Sequence, residues 1–260
     1  MSNNIDIFGE FAPAYTISNE NQRWATSAVP NISRVLTVAG SGDQALFYHI
    51  NGAKRIDTFD KTQNARVIQD IKFTAIQHVS YHEYSNLLID LFHVKDIRCI
   101  PTMKKLMPLL PRETIRIINT PGNNYLFGAG LDARYYPENI PTPAEYDYLK
   151  HTLKKPFNFI CTDLYDLSAK ITGKYDLINI SNIFDYCYNA QQQGDILRKL
   201  SRHLVPGGHI VYLPQAEKFS YNKIHIPLQN SELNYLQKLQ QKQTKMILFR
   251  YTQLAKMKQK

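Results

Sequence analysis

Two hydrophobic periods alternate along this chain, and their order predicts its elements. Val35-Leu36-Thr37-Val38 is a short, partly β-branched run of the kind that a strand buried on both faces requires. Residues 43–50 then place Ala45, Leu46 and Ile50 at helical spacing, and residues 56–59 form a second apolar run that ends on Asp60. Residues 62–77 read as a helix, because Ala65, Ile68, Ile71, Lys72, Ala75 and Ile76 follow an i, i+3, i+4 course. Strand signals resume only at 157–161, 175–180 and 209–213, with a helix over 191–203 and a turn at Leu204-Val205-Pro206-Gly207-Gly208. Ahead of the first strand, Ser18 or Asn19 is placed to cap a short helix running toward Ala28. After the last, 223–227 reads as a short strand, 231–243 as a helix and 246–252 as a closing strand.

Between the second and third strands, residues 80–155 carry apolar and turn-rich stretches but no strand pattern. That is far more chain than the dozen or so residues a crossover needs. The pattern predicts an inserted, mainly helical cap, which either shapes an acceptor pocket or elaborates the sheet edge. The whole reads as an α/β chain: one Rossmann-like domain with a mostly parallel sheet, an N-terminal arm over 1–30 and a C-terminal edge over 214–260.

The chemistry gathers where the first strand ends. Gly40-Ser41-Gly42 follows the strand at once, and Asp60 closes the next strand. In an open α/β sheet the ligand sits outside the carboxyl ends of the strands, where glycines admit a close backbone approach and an acid can accept from both ribose hydroxyls. This is a nucleoside site. With Ala45 in place of a third glycine, the turn permits a dinucleotide, but the same geometry without a pyrophosphate serves S-adenosylmethionine (SAM). No G-x-x-x-x-G-K-[ST] phosphate loop occurs.

The later chain decides between them. The third strand ends in Thr162-Asp163-Leu164, the fourth in Ser181-Asn182-Ile183-Phe184-Asp185-Tyr186, and L-x-P-G-G precedes the fifth. Strand, acid, strand, polar end, helix, L-x-P-G-G, strand is the order of the Rossmann-like core of SAM-dependent transferases. In that geometry Asp163 meets the adenine amino group and the backbone N–H of Leu164 meets the ring.

A narrower likeness rests on VLTVAGSGDQAL, GAKRIDTFDKT, an Ile-Lys-x-x-Ala-Ile segment followed by Ser80-Tyr81-x-Glu83-Tyr84, and KYDLINISNIFDY. These pieces resemble a bacterial family related to the betaine-lipid 3-amino-3-carboxypropyltransferase, with SGDQ and SNIFDY the more specific. The resemblance implies SAM binding through Gly40, Gly42, Asp60, Asp163 and Asn182. It also implies transfer of the aminocarboxypropyl arm rather than the methyl group, to a small-molecule or lipid acceptor. Methyl transfer, onto a small molecule or RNA, is the alternative on the same scaffold. A SAM-, nucleotide- or RNA-binding protein without turnover is the third.

Attack on any carbon of the sulfonium releases a neutral thioether, so the protein's contribution is chiefly to position the nucleophile. A hydroxyl acceptor needs a base, for which Asp185 and Tyr186 are the candidates; Asp185 could equally cap the next helix. Ser41, Asp43 and Ser181 are the candidates for holding the methionine end.

Composition adds boundaries. At 43% hydrophobic and 20% charged the chain is globular, and no apolar run approaches transmembrane length. The N-terminus has no signal-like segment, and Cys99, Cys161 and Cys187 are scattered, so the chain reads as cytoplasmic. His78 and His82 stand at i, i+4 without a third ligand, and no metal is expected. Of the net charge of +9, residues 231–260 supply six, through seven basic residues against Glu232. Such a tail is either an electrostatic footprint for RNA or an anionic membrane or a solvated, solubilising end.

Overall fold

The computed structural model describes residues 10–94, 96–121, 123, 133–185, 188–213, 234–236 and 246–250. A short helix α1 (Gln22–Ser27) leads into β1 (Arg34–Val38), α2 (Asp43–Ile50), β2 (Arg55–Asp60) and α3 (Gln63–His78). Four helices follow: α4 (Tyr81–His93), α5 (Pro101–Leu106), α6 (Arg112–Ile118) and α7 (Pro143–Thr152). Then come β3 (Asn158–Cys161), α8 (Leu167–Lys170), β4 (Tyr175–Asn179), α9 (Ala190–Ser201) and β5 (Leu204–Tyr212), and finally β6 (Asn234–Leu236) and β7 (Met246–Arg250).

The seven strands form one sheet in the order β3-β2-β1-β4-β5-β7-β6. Strands β1 to β5 are all parallel, and β7 returns antiparallel on β5 with His209 opposite Arg250. The closing antiparallel edge is therefore present, but 234–236 is a strand where a helix was expected; the segment 223–227 lies outside the described residues.

Alternation along the strands explains why both faces are covered. Val35, Leu177 and Val211 pack with Ala25, Ala45 and Tyr48 from α1 and α2, whereas Leu36, Ile178 and Ile210 pack with Leu167, Ile196, Leu197 and Leu200 from α8 and α9. Burial on both sides is what a parallel sheet demands, and it accounts for the near-continuous apolar runs. The insert is helical, as expected. It builds a second layer on α3, with Ile71 and Ile76 sharing a core with Leu87, Leu88, Met103, Leu106, Ile117 and Leu149.

Local details differ from the sequence reading where a side chain outcompetes a pattern. The cap of α1 is Asn21, which accepts from the Trp24 amide, and not Ser18 or Asn19. His78 ends α3 while His82 belongs to α4, because Ser80 and Glu83 form a capping box that starts a new helix between them. Leu204 to Gly208 is not a turn before β5 but a bulge within it: Tyr175 pairs with Leu204 and Leu177 already with His209.

Candidate functional site

The order β2-β1-β4 means that the chain crosses from one side of β1 to the other, and in an open α/β sheet the ligand crevice lies at such a switch point, outside the carboxyl ends. Four consecutive strands deliver their predicted residues there: Asp163 after β3, Asp60 on β2, the Gly40 turn after β1, and Ser181-Asn182 after β4.

The turn is held from below. The Ala39 amide donates to Phe59 O at 2.8 Å and the Gly42 amide to Ala39 O at 2.6 Å, while Gly40 and Gly42 take φ of +48° and +84°. A Cβ at Gly40 would have no neighbour within 4 Å, so open space lies above the turn; one at Gly42 would sit 3.1 Å from Gln69 Cγ. Asp60 ties the turn to β2: Oδ2 accepts from the Gly40 amide at 3.0 Å and Oδ1 from the Thr62 amide at 3.2 Å. Desolvation raises its pKa, and these backbone donors oppose the rise.

Asp163 Oδ1 accepts from the Tyr165 amide at 2.8 Å and from the Tyr188 hydroxyl. Leu164 is buried with Leu36 and Phe59, which fixes the chain direction past Asp163. At the end of β4, Ser181 takes φ +49°, and its amide donates to Asn179 Oδ1 at 2.8 Å. Asn182 is half-buried beside it. Asp185 ends a 3-10 turn, is exposed, and accepts from the Tyr212 hydroxyl. It does not cap the following helix: Asn189 does, in a capping box with Gln192. Tyr186 lies outside the described residues.

Asp43 is buried in the floor with both oxygens engaged. Oδ1 accepts from Lys72 Nζ, and Oδ2 from the Ser18 amide at 2.8 Å and the Ser41 hydroxyl at 2.7 Å. Its role in the structure is to fasten the turn, α3 and the N-terminal arm together, rather than to face a ligand.

The arm itself supplies what the sequence reading passed over. Glu20 is 3% exposed. Its Oε1 accepts from the Ser181 hydroxyl at 2.5 Å, and its Oε2 from Gln44 Nε2 at 2.7 Å and Gln22 Nε2 at 3.4 Å. Gln44 is aimed by the Thr37 hydroxyl, 2.6 Å from its Oε1. Burial pushes the Glu20 carboxyl up to about 7, the hydrogen bonds pull it down, and Asp185 adds to the rise. The Tyr15 phenol is likewise raised, first by burial and then by the fields of Asp60 and Glu20.

No protein-family model and no curated protein matches the chain, so the resemblance to the aminocarboxypropyltransferase-related family stays with the sequence pieces that carry it. Among solved structures, the chain is similar to the rRNA methyltransferase AviRa from Streptomyces viridochromogenes, with a TM-score of 0.49 and 13% identity over 94% of this chain and 90% of that one. It is similar to the N-methyltransferase NodS from Bradyrhizobium japonicum, with a TM-score of 0.42 and 14% identity over 88% and 83%. A third is SMU.1697c of Streptococcus mutans, described as a putative methyltransferase, with a TM-score of 0.41 and 11% identity over 88% and 94%. At these identities the likeness is one of chain path and carries no residue-by-residue correspondence.

Among the described residues no group of three or more His, Cys, Asp or Glu is placed to hold a metal ion, and no helix is long and apolar enough to cross a membrane.

Proposed function

We propose that this chain is a SAM-dependent transferase that moves the methyl group of SAM to an acceptor brought to the end of β4. The observation that carries the reading is the row of groups along four neighbouring strand ends: Asp163, Asp60, the open Gly40 turn and Ser181. The Asp60 carboxylate accepts from the backbone N–H groups of Gly40, Thr62 and Lys61 and keeps acceptor capacity for a ribose hydroxyl. Asp163, one strand further out, is spaced to accept from an adenine amino group.

Electrostatics favour SAM over a dinucleotide. The start of α2, where a pyrophosphate would bind, carries Asp43, and the Glu20 carboxylate stands alongside. Lys72 compensates Asp43 alone. A site of this sign suits a sulfonium and an ammonium and repels phosphates.

When bound, SAM supplies an electrophilic carbon next to a sulfur that leaves as a neutral thioether. Ser181, Asn182 and Asp185 border the place an acceptor would occupy, and Asp185 is the base for a hydroxyl or amine that must lose a proton. Its hydrogen bond from Tyr212 holds the carboxylate in position. Of the three activated carbons, the methyl is the least hindered for in-line displacement. Transfer of the aminocarboxypropyl arm, implied by the sequence resemblance, requires the methionine chain to be turned toward the acceptor.

Calorimetric titration tests the reading. Binding of SAM and S-adenosylhomocysteine without NAD is expected, and binding of NAD alone overturns it. Product analysis then separates the carbons: S-adenosylhomocysteine marks methyl transfer and methylthioadenosine marks arm transfer.

A further inference from the structure

We propose that the Glu20 carboxylate is the fixed counter-charge for the cationic, methionine end of SAM, through which this chain selects the charged cofactor over neutral adenosyl thioethers. The proposal rests on reading the crevice as a SAM site.

A buried carboxylate is costly unless a charge or several hydrogen bonds compensate it. Glu20 is almost fully buried, yet among the described residues its partners are neutral: the Ser181 hydroxyl and the amides of Gln44 and Gln22. These donors do not neutralise it; they aim it. Ser181 fixes Oε1 while Gln44 and Gln22 fix Oε2, and Oε1, with a single donor, retains acceptor capacity.

The charged and titratable groups around it have been assigned other tasks or the wrong sign. Asp185, from the end of β4, is a like charge. Tyr15 of the arm and Tyr48 of α2 are phenols whose pKa values are raised by burial and, to a smaller degree, by Glu20 itself. Asp60, whose field also raises the Tyr15 phenol, has the charge of Lys61 opposing the rise that burial gives its own pKa. Among the described residues the buried cation is Lys72, which is committed to Asp43, and Asp43 in turn accepts from the Ser18 amide. The crevice thus concentrates negative charge at the mouth of β1 and β4 and holds an acid poised to ionise when a cation arrives. Such a cation stabilises the ionised form in a low-dielectric setting, so its binding draws the proton off Glu20.

The consequence is a pH-dependent affinity with a defined sign. With the carboxyl at about 7 before binding, about 3% is ionised at pH 5.5 and half at pH 7. Apparent affinity for SAM scales with the competent fraction, so it rises about 16-fold over that range. The α-ammonium of the ligand stays largely protonated there.

The experiment is calorimetry on the full chain and its Glu20→Gln variant, with SAM, S-adenosylhomocysteine and methylthioadenosine at pH 5.5 and 7. The expected result is a rise of about 16-fold in SAM affinity for the unaltered chain, a flat profile for Glu20→Gln, and about tenfold weaker SAM binding by the variant at pH 7. Methylthioadenosine, which lacks both cations, changes less than twofold. Weakened S-adenosylhomocysteine binding as well assigns the contact to the ammonium; unaltered binding assigns it to the sulfonium. If the variant binds SAM within twofold of the unaltered chain with the same pH slope, the inference is overturned while the SAM site stands. If the unaltered chain binds none of the three ligands, the SAM reading falls and this inference with it. Should Glu20→Gln not fold, proton release on SAM binding by the unaltered chain decides: about half a proton at pH 7 is expected, and none overturns the proposal.

Discussion

The Ser181 hydroxyl donates to Glu20 Oε1 at 2.5 Å, joining the end of β4 to an arm 161 positions earlier in the chain. This contact makes the arm part of the sheet's carboxyl edge, and it carries a stability consequence. The folded carboxyl titrates near 7 against an ordinary 4.5, so between those values the folded state holds more protons than the unfolded chain. Stability therefore falls as pH rises from about 4.5 to 7 and is level above. The shift of Glu20 corresponds to at most about 3 kcal/mol. Urea unfolding at pH 5 and pH 8 should show this loss in the unaltered chain and a smaller one in Glu20→Gln. An equal loss in both would assign the titration to other groups.

The Lys72–Asp43 pair, with both side chains 1% exposed, predicts a different pattern. Burial lowers the Lys72 pKa, and the Asp43 carboxylate offsets part of that fall, so the lysine depends on its partner. Lys72→Met leaves an uncompensated carboxylate under the glycine turn and should cost about 3–5 kcal/mol. Adding Asp43→Asn removes that carboxylate, and the double variant should recover part of the loss. Denaturant midpoints of the two variants test it; a double variant no better than the single would mean the pair is not coupled.

How much of this was legible follows from what each residue competes with. The strands and α2 were legible because apolar runs between glycine turns admit few alternatives, and Asp60 and Asp163 because they sit where parallel strands end. Lys72 left a trace: a lysine on the apolar stripe of α3 calls for a buried acid, and Asp43 answers it. Glu20 left none, since a polar residue in the run Ser18-Asn19-Glu20-Asn21 looks solvated until the arm folds back over β4. The bulge in β5 was hidden by Pro206 and Gly207, which signal a turn whether or not pairing resumes beyond it. Residues such as Asn139, which accepts from the Gln22 amide at 2.9 Å and donates to Ser18 O at 2.8 Å, hold the arm from the insert. Only the tertiary structure brings them together.

The two turn glycines should fail in different ways. Gly42→Ala meets both a positive φ and Gln69 Cγ at 3.1 Å, so it should lose stability beyond the roughly 1–2 kcal/mol of the left-handed conformation alone. Gly40→Ala meets no neighbour and should lose about that 1–2 kcal/mol, but its methyl projects into the space where a nucleoside would lie. Melting temperature should fall further for Gly42→Ala. SAM affinity, measured on folded protein, should fall further for Gly40→Ala.

Asp60 combines both kinds of role, which decides how its variants must be read. Its carboxylate anchors the Gly40 and Thr62 amides, so Asp60→Ala removes the acceptors of these backbone donors as well as the proposed ribose contact. A lost hydrogen bond to a charged group corresponds to about 1.5–3 kcal/mol, or roughly a 10- to 100-fold loss of SAM affinity. The structural share of that loss is separable. Asp60→Asn keeps one oxygen for the Gly40 amide or the Thr62 amide but not both, and it offers a ribose hydroxyl only one acceptor. Stability should therefore rank the unaltered chain above Asp60→Asn above Asp60→Ala, and SAM affinity should follow the same order. The two variants should differ much less in binding free adenine, which does not reach the ribose contact. Equal weakening of SAM and adenine in both variants would mean that Asp60 serves only to hold the turn, and the ribose assignment would then have to be given up.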